Sequence, residues 1–296
     1  MGKLWNQLKK WSGINELRTL NFYRALLAEA VASGIYVFIA AGQLVPMNGA
    51  DKQISRLHGA LTTALSVACI ASAFWEISGG HFNPAVSLTL MILRKISPVR
   101  FIFYVVAQCL GSAGGAALLY AVTPPKFRPS DAQGVLGSIF VHEEVGSGMA
   151  VVIEVVLTYQ FIFVVISSTD PIRNMNGFQA PFAIGLSVGI GLLMGVPFSG
   201  GALNPIRVFG PAVVMGKLEH HWVYWVGDML GAALAALTYE FVFTLKIDDQ
   251  DKEEDVNKSR KHRRHHRDLE YSVRSESAEL ENYEDSVIGN KMTAMT

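Results

Sequence analysis

Long apolar runs of near-constant length, separated by short polar breaks, organise the first 245 residues of the chain. Six of them lie near 22–45, 57–76, 99–122, 148–168, 178–196 and 222–245. A helix needs roughly twenty apolar residues to cross a bilayer core of about 30 Å, and each run supplies them. Two further apolar segments, 84–93 and 205–215, fall between the second and third runs and between the fifth and sixth; each is opened by Asn-Pro and is too short to span alone. Proline suits the first position of a helix, where its missing N–H is no loss, so both segments are predicted as short helices beginning at Pro84 and Pro205. At 1.5 Å per residue each is about 15 Å long, and two placed end to end fill the hydrocarbon thickness. Irregular backbone at membrane depth is tolerated only where protein or a water-filled cavity surrounds it. The approaches Ser78-Gly79-Gly80 and Ser199-Gly200-Gly201 therefore imply such a cavity.

The pattern occurs twice. Glu29 is followed by Tyr36 and Phe38, and Glu154 at the same offsets by Phe161 and Phe163. Each half then supplies another long helix, a Ser-Gly-Gly approach, Asn-Pro and a third long helix. An odd number of crossings per half inverts the second copy relative to the first, which gives a pseudo-two-fold axis in the membrane plane and brings the two Asn-Pro starts together at mid-membrane. The predicted organisation is a cytoplasmic N-terminal segment (1–20), a channel domain (21–246, with repeats at about 21–123 and 147–246) and a disordered charged tail (247–296). Gly111 with Gly115, and Gly227 with Gly231, set small residues one turn apart, as close helix packing in a membrane requires.

Composition agrees: half the residues are apolar and only 17% charged, the balance of a multi-spanning membrane protein. Net charge is zero, so nothing argues for a nucleic-acid partner. Cys69 and Cys109 stand alone in apolar runs and build neither a disulfide framework nor a metal site. The first twenty residues are polar, with no apolar core of a cleavable signal. Lys and Arg concentrate before the first run, after the first short segment (Arg94, Lys95, Arg100) and beyond the last run, which predicts both termini on the cytoplasmic side. In the tail, Arg260 to Arg267 could meet anionic lipid, and Ser272, Ser275 and Ser277 could be phosphorylated to weaken that contact.

The chemistry sits at the two Asn-Pro starts. Helix N-termini carry unsatisfied N–H groups and the positive end of the helix dipole. Two such ends facing each other repel cations, and the amides of Asn83 and Asn204 can orient a passing water so that it breaks a proton-conducting chain. Taken singly, each Asn is also an ordinary helix cap. Glu29 and Glu154, buried in apolar runs, are either ion or proton sites or acceptors for the two irregular loops.

Through His-Phe-Asn-Pro-Ala-Val around Asn83 and Asn-Pro-Ile-Arg at 204–207, residues 20–245 resemble the aquaporin or major intrinsic protein family. Within it the chain is most similar to big brain-like and classical water-channel members, through Arg18-Thr19-Leu20, Ile96-Ser97-Pro98, Ala107-Gln108-Cys109, Ser168-Thr169-Asp170-Pro171 and His221-Trp222-Val223-Tyr224-Trp225. The resemblance implies an all-α membrane fold of six transmembrane helices and two re-entrant half-helices in an inverted repeat. It also implies a plasma-membrane homotetramer with one pore per subunit, no cofactor and no metal. Pore-centre residues would be Asn83, Pro84, Ala85, Asn204, Pro205 and Ile206, with Val67, Val188 and His81 lining the pore and Glu29 and Glu154 supporting the loops. The outer constriction falls on Thr63, Leu192, Gly201 and Arg207.

Departures from the family pattern define the expected activity. Water-selective relatives carry Phe and His where this chain has Thr63 and Leu192, so the opening should be wider and pass water with small uncharged solutes such as glycerol or urea. Glycerol-channel relatives carry Trp at the first position, an aromatic at the third and Asp after the arginine, against Thr63, Gly201 and Val208 here. Ile206 replaces an alanine at the tightest contact between the half-helices. Ile206, the altered constriction and the charged tail also fit an alternative, an adhesion or signalling membrane protein with a nearly closed or weakly cation-conducting pore. Glu76, near the cytoplasmic mouth, reads either as a cation-biasing charge or as a solvated loop residue. No nucleophile–base pairing or phosphate loop suggests an enzyme.

Overall fold

A computed structural model describes residues 11–45, 55–128, 136–137, 139–173, 175 and 177–244. The tail from 245 onward lies outside them, with its basic run and serines, as do residues 1–10. Among the described residues all regular structure is helical. Five long helices are α1 (Leu20–Gly42), α2 (Arg56–Ser78), α4 (Pro98–Val122), α5 (Gly146–Ser168) and α8 (Trp222–Thr238), the last continued by a π turn over Tyr239–Phe243. Each is long and apolar enough to cross a membrane. The sixth, α6 (Gln179–Gly195), has 17 residues, about 26 Å at 1.5 Å per residue. The short helices α3 (Pro84–Ile92) and α7 (Pro205–Met215) begin at the two prolines.

Local chemistry sets the helix starts. Thr19, Ser55 and Ser97 cap α1, α2 and α4 by accepting from Phe22, His58 and Arg100 backbone N–H groups. Asn83 and Asn204 cap α3 and α7 in the same way, each with Pro at the next position. At the other end of α2 the chain turns through Gly79 at φ 91°, which only glycine adopts without strain.

Helix pairing is itself two-fold. α1 packs on α4 as α5 packs on α8, α1 meets α2 as α5 meets α6, and each half-helix packs on a long helix of the other half, α3 on α8 and α7 on α4. The two halves also meet along α2 and α6. Small residues make the approach close: a side chain at Gly111 or Gly115 would overlap the Ala30 or Gly34 carbonyl of α1, and one at Gly231 the Val155 carbonyl of α5. Gly185 against Ala64 does the same for α6 on α2.

Polarity is inverted relative to a soluble bundle. Leu27, Leu61, Leu110, Val152, Ile190 and Leu230 point outward, whereas Glu29, Gln108, Glu154 and Asp228 are fully buried. An apolar exterior matches lipid tails, and hydrogen bonds to neighbouring groups offset much of the cost of holding these polar side chains inside.

Candidate functional site

Glu29, on α1, is 0% exposed and gathers the first re-entrant loop. Its Oε1 accepts from the Ser78 hydroxyl (2.6 Å) and the His81 N–H (3.0 Å), its Oε2 from the Phe82 N–H (2.7 Å) and Gln108 Nε2 (2.8 Å). Glu154, on α5, holds the second loop: Oε1 accepts from the Ser199 hydroxyl (2.6 Å) and the Ala202 N–H (2.9 Å), Oε2 from the Leu203 N–H (3.1 Å). Tyr104 and Tyr224 add matching bonds, each hydroxyl donating to a loop carbonyl, Ser78 and Ser199, at 2.8 Å. Where Gln108 donates in the first half, α8 presents Asp228, whose carboxyl lies beside that of Glu154 within hydrogen-bonding range and accepts from the Thr158 hydroxyl at 3.2 Å.

So held, the two loops follow one course. Gly79 and Gly200 both have φ 91°, Gly80 and Gly201 φ 59° and 65°, and Asn83 and Asn204 φ −156° and −158°. Between them Phe82 and Leu203 take positive φ, 32° and 53°, a region that side chains other than glycine enter at a cost. The strained turns aim two carbonyls at the opposite loop. Asn83 Nδ2 donates to the Leu203 carbonyl and Asn204 Nδ2 to the Phe82 carbonyl, both at 2.9 Å. Each Asn Oδ1 meanwhile accepts from its own half-helix, Ala85 N–H at 2.8 Å and Ile206 N–H at 3.2 Å. An amide carries two hydrogens, so Asn83 keeps one N–H for a visitor, while the side chain of Asn204 also engages the Tyr36 hydroxyl.

Both asparagines line a cavity of about 310 Å³. Val67, Val188 and His81 also line it, and His81 Nδ1 is fixed by the Ser87 hydroxyl at 3.0 Å. Glu76 is exposed and outside this lining. Pro84, Pro205, Ala85 and Ile206 are buried behind the asparagines; Ile206 is fully enclosed, and its carbonyl accepts from the Ser112 hydroxyl at 2.6 Å.

Thr63, Leu192, Gly201 and Arg207 lie outside the cavity lining and fall into two couples. Arg207, 4% exposed, donates from Nη2 to the Ala40 carbonyl at 2.9 Å. Thr63, 2% exposed, accepts from Gln43 Nε2 at 2.9 Å, and the same Nε2 reaches the Ala40 carbonyl at 3.4 Å. Gly201 instead packs on the turn of α6 that carries half-buried Leu192, against Gly191 and Gly195. Next to α7, His221 stacks edge-on against Phe209, and burial holds its imidazole below the ordinary value. It is neutral at pH 7 and adds no charge to that half-helix. Among the described residues no group of His, Cys, Asp and Glu could hold a metal ion.

Several participants escape sequence reasoning. Phe82 and Leu203 are bulky residues in a glycine-like conformation, which composition does not announce. Gln108 and Asp228 carried a usable signal, since each stands three residues before the glycine of its close helix crossing, Gly111 and Gly231. Gln43 had none, because its side chain folds back from the end of α1.

Comparison with known proteins decides the family. The sequence pattern of the Major intrinsic protein family matches residues 16–239. The chain belongs to this family. Aquaporin-4 of Bos taurus is 40% identical over 227 residues, covering 76% of this chain and 69% of that protein, and Aquaporin-4 of Homo sapiens matches equally. Lens fiber major intrinsic protein of Gallus gallus is 40% identical over 227 residues, 77% of this chain and 84% of its own. The aquaglyceroporin of Plasmodium falciparum shares the fold, with a TM-score of 0.64 at 20% identity over 75% of this chain and 96% of that one. As a major intrinsic protein the chain is a multi-pass transmembrane channel of the aquaporin type, with the fold expected from its patterning, and it is not an enzyme.

Proposed function

We propose that the chain is a passive water channel that also passes small uncharged solutes such as glycerol and urea while excluding protons and ions. It works as a plasma-membrane homotetramer with both termini cytoplasmic, needing neither cofactor nor metal. The observation that carries the reading is the pair of amides: Asn83 and Asn204 each spend one hydrogen on the opposite loop and turn toward a single cavity with apolar walls at Val67 and Val188. A water at this level meets the Asn83 amide, the Asn204–Tyr36 pair and the positive ends of two half-helices. Its oxygen is engaged from both sides, which interrupts the donor–acceptor chain a proton needs, and cations meet repulsion. Arg207 adds a fixed positive charge outward of the asparagines. Thr63, Leu192 and Gly201 contribute neither an aromatic wall nor an imidazole to that constriction, so size exclusion there is relaxed.

Proteoliposome swelling tests the reading. Water permeability should exceed that of empty vesicles, with measurable glycerol entry, and Leu192→His should cut the glycerol-to-water ratio by roughly tenfold, as a hydrogen-bonding, narrower filter discriminates against the larger solute. Vesicles that swell no faster than empty ones would overturn it and leave the adhesion alternative.

A further inference from the structure

We propose that Gln43 is a fifth residue of the outer constriction and, with Arg207, determines which uncharged solutes pass. The inference rests on reading Thr63, Leu192, Gly201 and Arg207 as that constriction. Gln43 is the C-cap of α1, yet its side chain does not leave for the surface. Its Nε2 donates to the Thr63 hydroxyl at 2.9 Å and the Gly59 carbonyl at 3.1 Å, and approaches the Ala40 carbonyl at 3.4 Å. Thr63 is short for the wall of a narrow pore, and the amide of Gln43 occupies space beside it.

The Ala40 carbonyl fixes the position of the amide relative to Arg207, because Arg207 Nη2 donates to that same oxygen at 2.9 Å. Amide and guanidinium therefore converge on one atom. Each leaves one buried polar atom without a partner: Gln43 Oε1, an acceptor, and Arg207 Nη1, a donor. Nearly all buried polar groups in a folded protein are met, so an unmet acceptor and an unmet donor around one carbonyl require an explanation. A permeating molecule supplies it. Water, a polyol hydroxyl or a urea amide each bring both a donor and an acceptor; an apolar solute of the same size would leave both protein groups unmet and be rejected. Gln43 thus narrows the opening that Thr63 leaves wide and supplies the acceptor that Arg207, a pure donor, lacks.

Wild type, Gln43→Ala, Gln43→Leu, Thr63→Val and Leu192→His are reconstituted into proteoliposomes, and water, glycerol and urea permeabilities are divided by the amount of channel per vesicle. Gln43→Ala, which removes bulk and acceptor together, should raise the glycerol-to-water ratio by about three- to tenfold. Gln43→Leu, of similar length but apolar, should lower water and urea permeation by about three- to tenfold, the cost of one lost buried hydrogen-bonding partner, without raising glycerol entry above the wild-type level. Thr63→Val removes the hydroxyl that holds the amide while keeping its shape, and should move the ratio in the same direction as Gln43→Ala. Wild-type permeabilities and ratios in Gln43→Ala, Gln43→Leu and Thr63→Val, beside a shifted ratio in Leu192→His, would overturn the role of Gln43 and leave the constriction reading standing. An unchanged Leu192→His would instead sink the constriction reading, and the inference with it.

Discussion

The two re-entrant loops share a backbone and differ in what supports it. Their corresponding φ angles agree to within about twenty degrees from the first glycine to the asparagine, including the positive φ of Phe82 and Leu203. Beneath them, the first loop rests on a carboxylate and an amide, Glu29 and Gln108, the second on two carboxyls, Glu154 and Asp228. The contrast separates two demands. Pointing two Asn amides and two carbonyls across one axis fixes the backbone course. The scaffold has only to satisfy the loop donors without leaving charge unmatched, and different side chains can do that. At the half-helices the first cap is the tighter, 2.8 Å against 3.2 Å, and its third residue is the small Ala85 where the second half carries Ile206.

Removing the support altogether should have the largest effect. Glu154→Ala leaves the Ser199 hydroxyl and the Ala202 and Leu203 N–H groups unmet in the membrane interior, costing about 3 kcal/mol or more, and Glu29→Ala should do likewise. Both variants should lose swelling activity and show a clear drop in melting temperature in detergent. A variant melting like wild type would show that the loops stand without their anchors. Exchanging the supports sharpens the comparison. Gln108→Glu sets a second carboxyl beside Glu29 and should destabilise by about 2 kcal/mol, whereas Asp228→Asn gives Glu154 a neutral donor and should leave stability unchanged or raise it by up to about 1 kcal/mol. Equal losses from both exchanges would mean that the acid of the second half has a role its position does not explain. The smallest effect is at the half-helix tips: Ile206→Val removes one methylene from a fully enclosed site and should cost about 1 kcal/mol, read as a small fall in melting temperature with water permeation retained.

Much of the fold was legible because membrane depth sets segment length. Runs read as 57–76, 148–168 and 178–196 fold as Arg56–Ser78, Gly146–Ser168 and Gln179–Gly195, and the prolines mark the starts of α3 and α7. The ends of the terminal spans were less legible. The first apolar run extends to 45, but α1 stops at Gly42, and the last extends to 245, but regular α structure gives way at Tyr239 to a π turn. Apolar composition continues through both ends and carries no stop signal. Within the site, Glu29 and Glu154 stood out because an acid in an apolar run is costly and must have a partner. The identity of those partners, and the return of Gln43 toward Thr63, depend on which helix faces come together. Spacing within one helix does not encode that.

The crossed bonds between Asn83 and Leu203, and between Asn204 and Phe82, join residues 120 and 122 positions apart. At about 5–20 residues per second, a ribosome needs roughly 6–24 seconds to bring the second partner into being after the first. For that interval the first loop has its glutamate anchor but not its counterpart, and Asn83 has only its own half-helix to bond. The centre of the conduit is therefore finished by the second half of the chain, late in biosynthesis, and a nascent protein halted before Leu203 holds the parts of half a passage without being able to conduct through it.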